Sequence, residues 1–446
     1  MKVKYDKSIK IAGIGVFASA RYGLDIWFDN SKIVSLFDDP DFPSLSFEKY
    51  LKVPYDGERS TQALLYDSRF QDMLIKELKG YNVLAYKPIE VPSRLASSGV
   101  NFISGAKSMV QISSKFENKA WFRRKFLNSG INIPRHKIYK WQDLKTDEDF
   151  YNKLRGNRKV FVVQDAVLSG GKGTSIVKDF EAYKAAVESA YNAQGEAVVS
   201  DFVSNSQDVS IQGVVTRYGI FIGPAQRQIV AHPQLLDPSI KGSDLFCGVE
   251  IRNSDQNSTV HQKLTKNAKI IGEELQKSGY RGIFGVDSLV SGNEVHTIEV
   301  NPRITGATPL LTVNYKEGAR VPFYLLHILE LLDASYEIED MSHGNEYGDC
   351  SLVIPRLLAG AGSLGRMKGL RTGLYDDKLR REGDFLGAGD EMSGKRLVFS
   401  YKPSPWKPNG SQKIASIFLW ENALDSNGNI VNSVQEVIEK ITEPLG

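Results

Sequence analysis

Apolar positions along the chain fall into two spacings, and the switches between them mark out three blocks. In the first, IKIAGIG and KIVSLF have the short apolar runs of strands. The stretch STQALLYDSRFQDMLIKELKGY sets Leu64, Leu65, Met73, Leu74 and Leu78 near helical spacing before Gly80, and NVLAYKP reads as a third strand. Strands alternating with helices predict a parallel sheet with helices on its faces. The second block opens near Ser113 with a helix, SSKFENKAWFRRKFLNSG, which Gly130 and Pro134 stop. Strands VFVVQDAV, GEAVVSDFV, DVSIQGVVT and GIFIGPA follow. A helix from about Ser258 to Gly279 then carries Val260, Leu264, Ile271 and Leu275 on one side, with Ser258 or Thr259 at its cap, before strands FGVDSLV and VHTIEVN. The third block, from about Gly344, mixes strands RLVFSYK and IASIFLW with Gly/Pro-rich turns. It closes on NSVQEVIEKI, whose Val434, Val437, Ile438 and Ile441 form one stripe. No repeat at solenoid or propeller periods interrupts this order.

The strand VHTIEVN and its continuation hold the first candidate chemistry. Glu299, Asn301 and Arg303 lie two apart, so on a strand their side chains share a face. Asp287 precedes them on the neighbouring strand, joined through the turn VSGNE, and antiparallel pairing brings two carboxylates and an amide oxygen together. Such oxygens suit magnesium when phosphates and water complete its shell. Arg303 beside them suits a phosphate or a carboxylate. The same residues also fit a surface ladder in which Arg303 neutralises Glu299. His296 stands an odd number of steps from Glu299 and is expected on the opposite face, in a packing role.

A second candidate is VLSGGKGTSIV. Gly170, Gly171 and Gly173 let successive N–H groups converge on an anion such as phosphate, and Lys172 adds charge at the tip. Gly173 rather than Ser or Thr follows the lysine and strand-like TSIV comes next, so the P-loop pattern is not met. A hairpin flap over phosphates and a turn with no ligand both fit. In GPAQRQIVAHPQLLDPSIKGSDLFCG, Arg227 and Lys241 are candidate anion binders, with a solvated loop as the competing explanation.

Composition narrows the setting. A chain of 446 residues is long enough for two to four domains. Its formal net charge of +3 gives no broad field for nucleic acid or acidic membranes, and the basic cluster FRRKF after Trp121 is expected to be a solvated helix face. Cys247 and Cys350 stand in no metal-ligand or CxxC spacing, which argues against a disulfide framework or zinc and for a reducing, cytoplasmic home. No uncharged apolar run reaches membrane-spanning length and the start lacks a cleavage-like pattern, so neither secretion nor membrane insertion is expected.

GYRGIFGVDSLVSGNEVHTIEVNPRITG resembles the closing signature of the ATP-grasp superfamily. The glycine flap and ENKAWFRRKFLNSGINIPRHKIY, which resembles the family's entry helix, extend the likeness over roughly Ser113 to Leu332. The resemblance implies a multidomain α/β and α+β chain: a Rossmann-like domain over 1–112, an ATP-grasp domain over 113–343 with a small lobe at about 135–203 and a large lobe at about 204–343, and a β-rich α+β domain over 344–446. It implies that Lys119 and Gly170 to Gly173 contact ATP phosphates. Ser200, Asp201, Phe202 and Val203 would flank adenine, and Asp208 would take the ribose. Asp287, Glu299 and Asn301 would hold magnesium or manganese, and Arg303 would steady the substrate or its phosphorylated intermediate.

Two positions depart from the family pattern. Gln164 stands where a lysine is usual, which removes a charge from the phosphate grip and leaves Lys172 as a possible compensation. Ser200 stands where a glutamate is frequent. At the front of the chain, GIGVFA fits a dinucleotide-binding turn through Gly13, Gly15 and Ala18, with Asp38 or Asp39 near a ribose-binding position; structural or substrate-side use is the favoured alternative.

The activity implied is an ATP- and magnesium-dependent ligase that turns a carboxylate into an acyl phosphate and joins it to an amine, releasing ADP and phosphate. A carboxylase-like or carboxylate–thiol reaction, or a nucleotide-binding regulatory protein with little turnover, are the alternatives. The expected partners are small-molecule carboxylate and amine substrates, without nucleic acid or membrane, and a homo-oligomer is compatible with the sequence.

Overall fold

The computed structural model describes residues 1–18, 21–37, 42–168, 173–190, 194–236, 245–340, 347–357, 370–384, 393–400 and 412–442. Near the N-terminus, strand Lys10–Gly15 pairs in parallel with Asn30–Ser35 on one side and Asn82–Leu84 on the other, and Leu45–Ser46 and Asn101–Phe102 complete a five-stranded sheet. Its central strand is buried over Ile11–Gly15, as a parallel strand covered on both faces must be. Helix Ser68–Leu78 starts where the Asp67 carboxylate accepts from the Arg69 N–H, and it lays Phe70, Met73, Leu74 and Leu78 on that sheet.

Gly13 and Gly15 have a reason within this fold. The Arg21 side chain lies across the strand and donates from Nε to the Ile14 carbonyl at 2.6 Å. A Cβ on Gly15 would stand 2.5 Å from Arg21 Nη2, and one on Gly13 would stand 2.9 Å from Leu24 Cδ1. The pair of glycines makes room for the chain's own arginine and leucine. Ala18 is buried beside them, and Asp38 and Asp39 lie outside the described residues.

Besides two two-stranded antiparallel pairs, Lys2–Tyr5 with Tyr336–Asp340 and Arg356–Leu357 with Gln412–Lys413, two larger antiparallel sheets form the rest. The smaller has the order His136–Lys140, Glu196–Asp201, Phe161–Asp165, Thr174–Val177. The larger has ten strands among the described residues: Glu294–Asn301, Gly282–Ser291, Gln207–Thr216, Gly219–Val230, Phe246–Ile251, Cys350–Val353, Ala415–Leu419, Arg396–Ser400, Gly373–Tyr375 and Arg381–Gly383. Strands from the third block therefore extend the sheet begun in the second. The connection from the small sheet to the large one, residues 202–206, contains Asn205 in the left-handed region at φ 52°.

Helix Thr259–Lys277, capped by Ser258, packs Leu264, Ala268, Ile271 and Leu275 against Val209, Ile211 and Phe284 of the large sheet. The C-terminal helix Asn432–Thr442 buries Val434, Val437 and Ile441 against Ile417 and Leu419. No helix among the described residues is long and apolar enough to cross a membrane.

Candidate active site

The hairpin Gly282–Ser291 to Glu294–Asn301 turns through Gly292, whose φ of 57° suits a tight two-residue loop. It pairs Asp287 directly with Glu299. A bulge at Ile298 separates this pair from Ser288 opposite Thr297 and Leu289 opposite His296. Because of that extra residue, His296 falls on the same side as Leu289 and Asp287, contrary to the odd-step expectation. Its Nδ1 is buried with no hydrogen-bond partner.

Amides and hydroxyls close around the two carboxylates. Gln228 Nε2 donates to Asp287 Oδ1 at 2.8 Å, and Ser210 hydrogen-bonds the same carboxyl. Asn301 Nδ2 donates to Asp287 Oδ2 at 2.9 Å and to Glu299 Oε1 at 3.2 Å. Arg303 donates from Nη2 to Asn301 Oδ1 at 2.6 Å, from Nη1 to the Ile304 carbonyl at 3.3 Å and from Nε to Glu117 Oε1 at 2.5 Å. Arg303 thus pairs with Glu117, and the cation beside Glu299 is Lys119, whose Nζ is 3.4 Å from Oε2.

Lys119 opens helix Lys119–Phe126, which Asn118 caps by accepting from the Trp121 N–H. Its backbone N–H donates to the Ala166 carbonyl at 2.8 Å and its Nζ to the Leu168 carbonyl, tying the helix start to the strand that leads into the glycine cluster.

Electrostatics divide the carboxylates. Burial, then the Glu299 charge, pushes Asp287 up to about 8. Burial pulls Glu299 the same way, yet Lys119 and the hydrogen bonds from Asn301 and Asp287 outweigh it and hold Glu299 below the usual range. The two directions describe one situation: two acids this close keep a proton between them, and Lys119 decides that Glu299 is the ionised member.

A cavity of about 430 Å³ lies between the two antiparallel sheets, with these carboxylates on its large-sheet wall. Gln164, Thr174 and Ile176 face them from the small sheet, and Ser200, Asp201, Phe202, Val203 and Asp208 line the connecting edge. Gln164 Nε2 donates to Thr174 Oγ1 at 3.3 Å. Asp201 pairs with Arg158 at 3.2 Å. Gly173 has φ 72°, and a Cβ there would stand 2.7 Å from Leu168. Gly170, Gly171, Lys172 and Lys241 lie outside the described residues. Arg227 is not brought to the cavity: it alternates with Gln228 along its strand, and Asp255 holds its guanidinium at 2.6 and 2.7 Å. A second cavity of about 430 Å³, lined by Asp25, Lys32 and Glu77 against the N-terminal sheet, is remote from this chemistry.

The basic cluster in the entry helix corrects the expectation of a solvated face. Arg123 is fully buried, lines the cavity, donates from Nη1 to the Thr297 carbonyl at 3.1 Å and leaves Nε without a partner. Burial lowers its pKa to about 10, against the pull of Glu299. Arg124 pairs with Glu196 and Lys125 with Glu274 at 2.6 Å, on the more exposed side. The signal was the spacing of Lys119, Arg123 and Phe126 on one helix face. Gln228 and Glu117 gave no such signal, since only the fold brings them beside Asp287 and Arg303.

The donor set fits a divalent cation of the magnesium class. Among the described residues no group of three or more His, Cys, Asp or Glu is arranged as a metal site. The chain itself offers two carboxylates, both hard ligands, beside the Asn301 amide, whose oxygen would have to turn from Arg303 to join them, and phosphates or water would complete the shell. The proton retained by Asp287 marks the excess negative charge that a cation relieves.

Residues 116–307 match the family model described as an ATP-grasp domain. The chain is 28% identical over 313 residues to the formate-dependent phosphoribosylglycinamide formyltransferase of Wolinella succinogenes, covering 68% of this chain and 73% of that one. It superposes on the N5-carboxyaminoimidazole synthase from Aspergillus clavatus in complex with ADP and 5-aminoimidazole ribonucleotide with a TM-score of 0.57 at 12% identity, over 98% of this chain and 99% of that one. The biotin carboxylase domain of the Hydrogenobacter thermophilus 2-oxoglutarate carboxylase, in complex with MgADP, ADP and bicarbonate, gives 0.56 at 14% identity, over 93% and 86%. At these identities the superpositions establish the fold, which is the one the sequence resemblance implied.

Proposed function

We propose, from the premise that this chain is an ATP-grasp protein with its domain at 116–307, that it is an ADP-forming ligase that activates a carboxylate and joins it to an amine. The observation that supports this best is the Asp287–Glu299 pair set in the wall of a cleft between two sheets, opposite Gln164 and Thr174. The formyltransferase relative points the same way, toward small-molecule substrates.

Magnesium or manganese held by Asp287, Glu299 and Asn301 would supply Lewis-acid stabilisation of charge on a phosphoryl group in transfer. The chain's own groups do the rest. Lys119 sets a buried ammonium beside Glu299 and at the base of the glycine cluster, where it would meet ATP phosphates. Gly170 to Gly173, with Lys172, would fold over those phosphates and keep water from the acyl phosphate. Asp201, Phe202 and Val203 would grip adenine and Asp208 the ribose. Gln164 would donate a hydrogen bond to a phosphate oxygen without adding charge. Arg303, held by Glu117, would orient the substrate carboxylate. Positioning and charge stabilisation suffice for this chemistry, and no nucleophilic side chain is required. The buried, free Cys247 and Cys350 support a cytoplasmic setting.

The test is phosphate release from ATP against pooled small acids and amines, with mass spectrometry of products. Release that needs both a carboxylate and an amine, and that Glu299→Gln abolishes while the melting temperature holds, is the expected result. Tight ATP binding with no turnover on any pool would favour a regulatory nucleotide-binding role instead, and full activity in Glu299→Gln would remove the metal assignment.

A further inference from the structure

The hydrogen bonds around Asn301 fix which way its amide points. Its nitrogen lies 3.2 Å from Glu299 Oε1 and 2.9 Å from Asp287 Oδ2. A guanidinium can only donate, so the atom 2.6 Å from Arg303 Nη2 is oxygen. Divalent cations of this class take oxygen. In this state the Asn301 oxygen therefore faces the arginine and its nitrogen faces the carboxylates, the reverse of what a cation requires.

We propose that Asn301 is a positioning residue for Arg303, coupling occupation of the carboxylate pair to release of one edge of the guanidinium for a substrate oxyanion. This rests on the ligase assignment and adds an order of events to it. When the Asn301 amide turns its oxygen to a cation, it withdraws the acceptor from Arg303 Nη2 and puts an N–H donor in its place. Two donors repel, so Nη2 needs a new acceptor. Nε stays on Glu117 and Nη1 on the Ile304 carbonyl, and the Tyr86 side chain packs on and hydrogen-bonds the guanidinium, which keeps the group anchored while Nη2 loses the Asn301 oxygen. A carboxylate or phosphate oxygen is the acceptor that best suits it, because the hydrogen bond is charge-assisted. Gln228 does not share this role: its amide donates to Asp287 and has no link to Arg303.

The experiment is calorimetric titration of the full chain with inorganic phosphate, with and without saturating Mn2+ and ADP. Phosphate should bind about tenfold more tightly in their presence, the scale of one charge-assisted hydrogen bond. By linkage, phosphate should tighten Mn2+–ADP binding by the same factor. Asn301→Asp has oxygens on both sides and can serve cation and arginine together, so it should bind Mn2+–ADP and lose the coupling. Arg303→Met, which keeps the amide and both carboxylates, should lose it too. If wild-type chain binds no Mn2+–ADP, the nucleotide-site assignment falls and this inference with it. If Mn2+–ADP binds but phosphate affinity does not change, or the coupling survives in either variant because phosphate sits on the metal, the positioning role is wrong and the ligase assignment stands.

Discussion

The proton kept between Asp287 and Glu299 should be expelled when a divalent cation binds, and its size can be worked out. A carboxyl titrating at about 8 is about ten parts protonated to one ionised at pH 7. A cation that needs the ionised form must displace about 0.9 of a proton per site, and it binds about tenfold, or ~1.4 kcal/mol, more weakly at pH 7 than where Asp287 is already ionised. At pH 6 the penalty grows to about a hundredfold. Stability has the opposite sign. The folded pKa of Asp287 lies above the unfolded one, so the folded chain binds the proton more tightly and its stability without metal falls as pH rises from about 4 to about 8. Mn2+ affinity measured from the free-ion resonance between pH 6 and 9, in the presence of ADP, reads the first effect. Calorimetry in buffers of differing ionisation enthalpy counts the protons directly. A flat Mn2+ affinity from pH 6 to 8, or the same slope in Asp287→Asn, would refute the shared-proton account.

Two further outcomes follow from individual side chains. Gln164→Lys puts a cation on the cleft wall facing the carboxylates and should tighten ATP binding by about 1 kcal/mol, several-fold in Kd, if that wall meets phosphates; unchanged or weaker binding in a direct titration would show that it does not. Arg123→Ala removes a fully buried side chain and leaves the Thr297 carbonyl short of a donor, so it should cost about 3 kcal/mol, whereas Arg124→Ala on the exposed side should cost less than about 1 kcal/mol; equal shifts in denaturant midpoint would overturn the burial argument.

How much of this was legible in the sequence depended on distance along the chain. Asp287 and Glu299 could be paired because a short turn joins their strands and fixes the register. The parallel N-terminal sheet followed from its alternation of strand and helix. Contacts that only the tertiary fold creates left no local mark. Arg303 could be placed beside Glu299 by spacing, but its partner Glu117 belongs to a different helix. Gln228 reaches Asp287 across an intervening strand, Gln207–Thr216. Strict alternation misassigned His296 because a bulge adds one residue without a sequence signature strong enough to flag it. The glycines of GIGVFA looked like a dinucleotide turn because close backbone approach has the same requirement whether the visitor is a pyrophosphate or the chain's own Arg21.

The unbroken ladder from Glu294–Asn301 to Arg381–Gly383 decides which parts of the molecule can swing. Pulling the C-terminal strands away would rupture backbone pairing between Phe246–Ile251 and Cys350–Val353, a cooperative and costly event. The four-stranded sheet shares no strand pairing with that ladder. It is joined to it through residues 202–206, where Asn205 takes a left-handed conformation, and through helix Lys119–Phe126, whose Lys119 bonds Ala166 and Leu168 and whose Arg123 bonds Thr297. The wall bearing Asp287 and Glu299 is thereby the half of the cleft braced by continuous backbone pairing, while the wall bearing Gln164 and Thr174 is held to it by side chains and helix contacts.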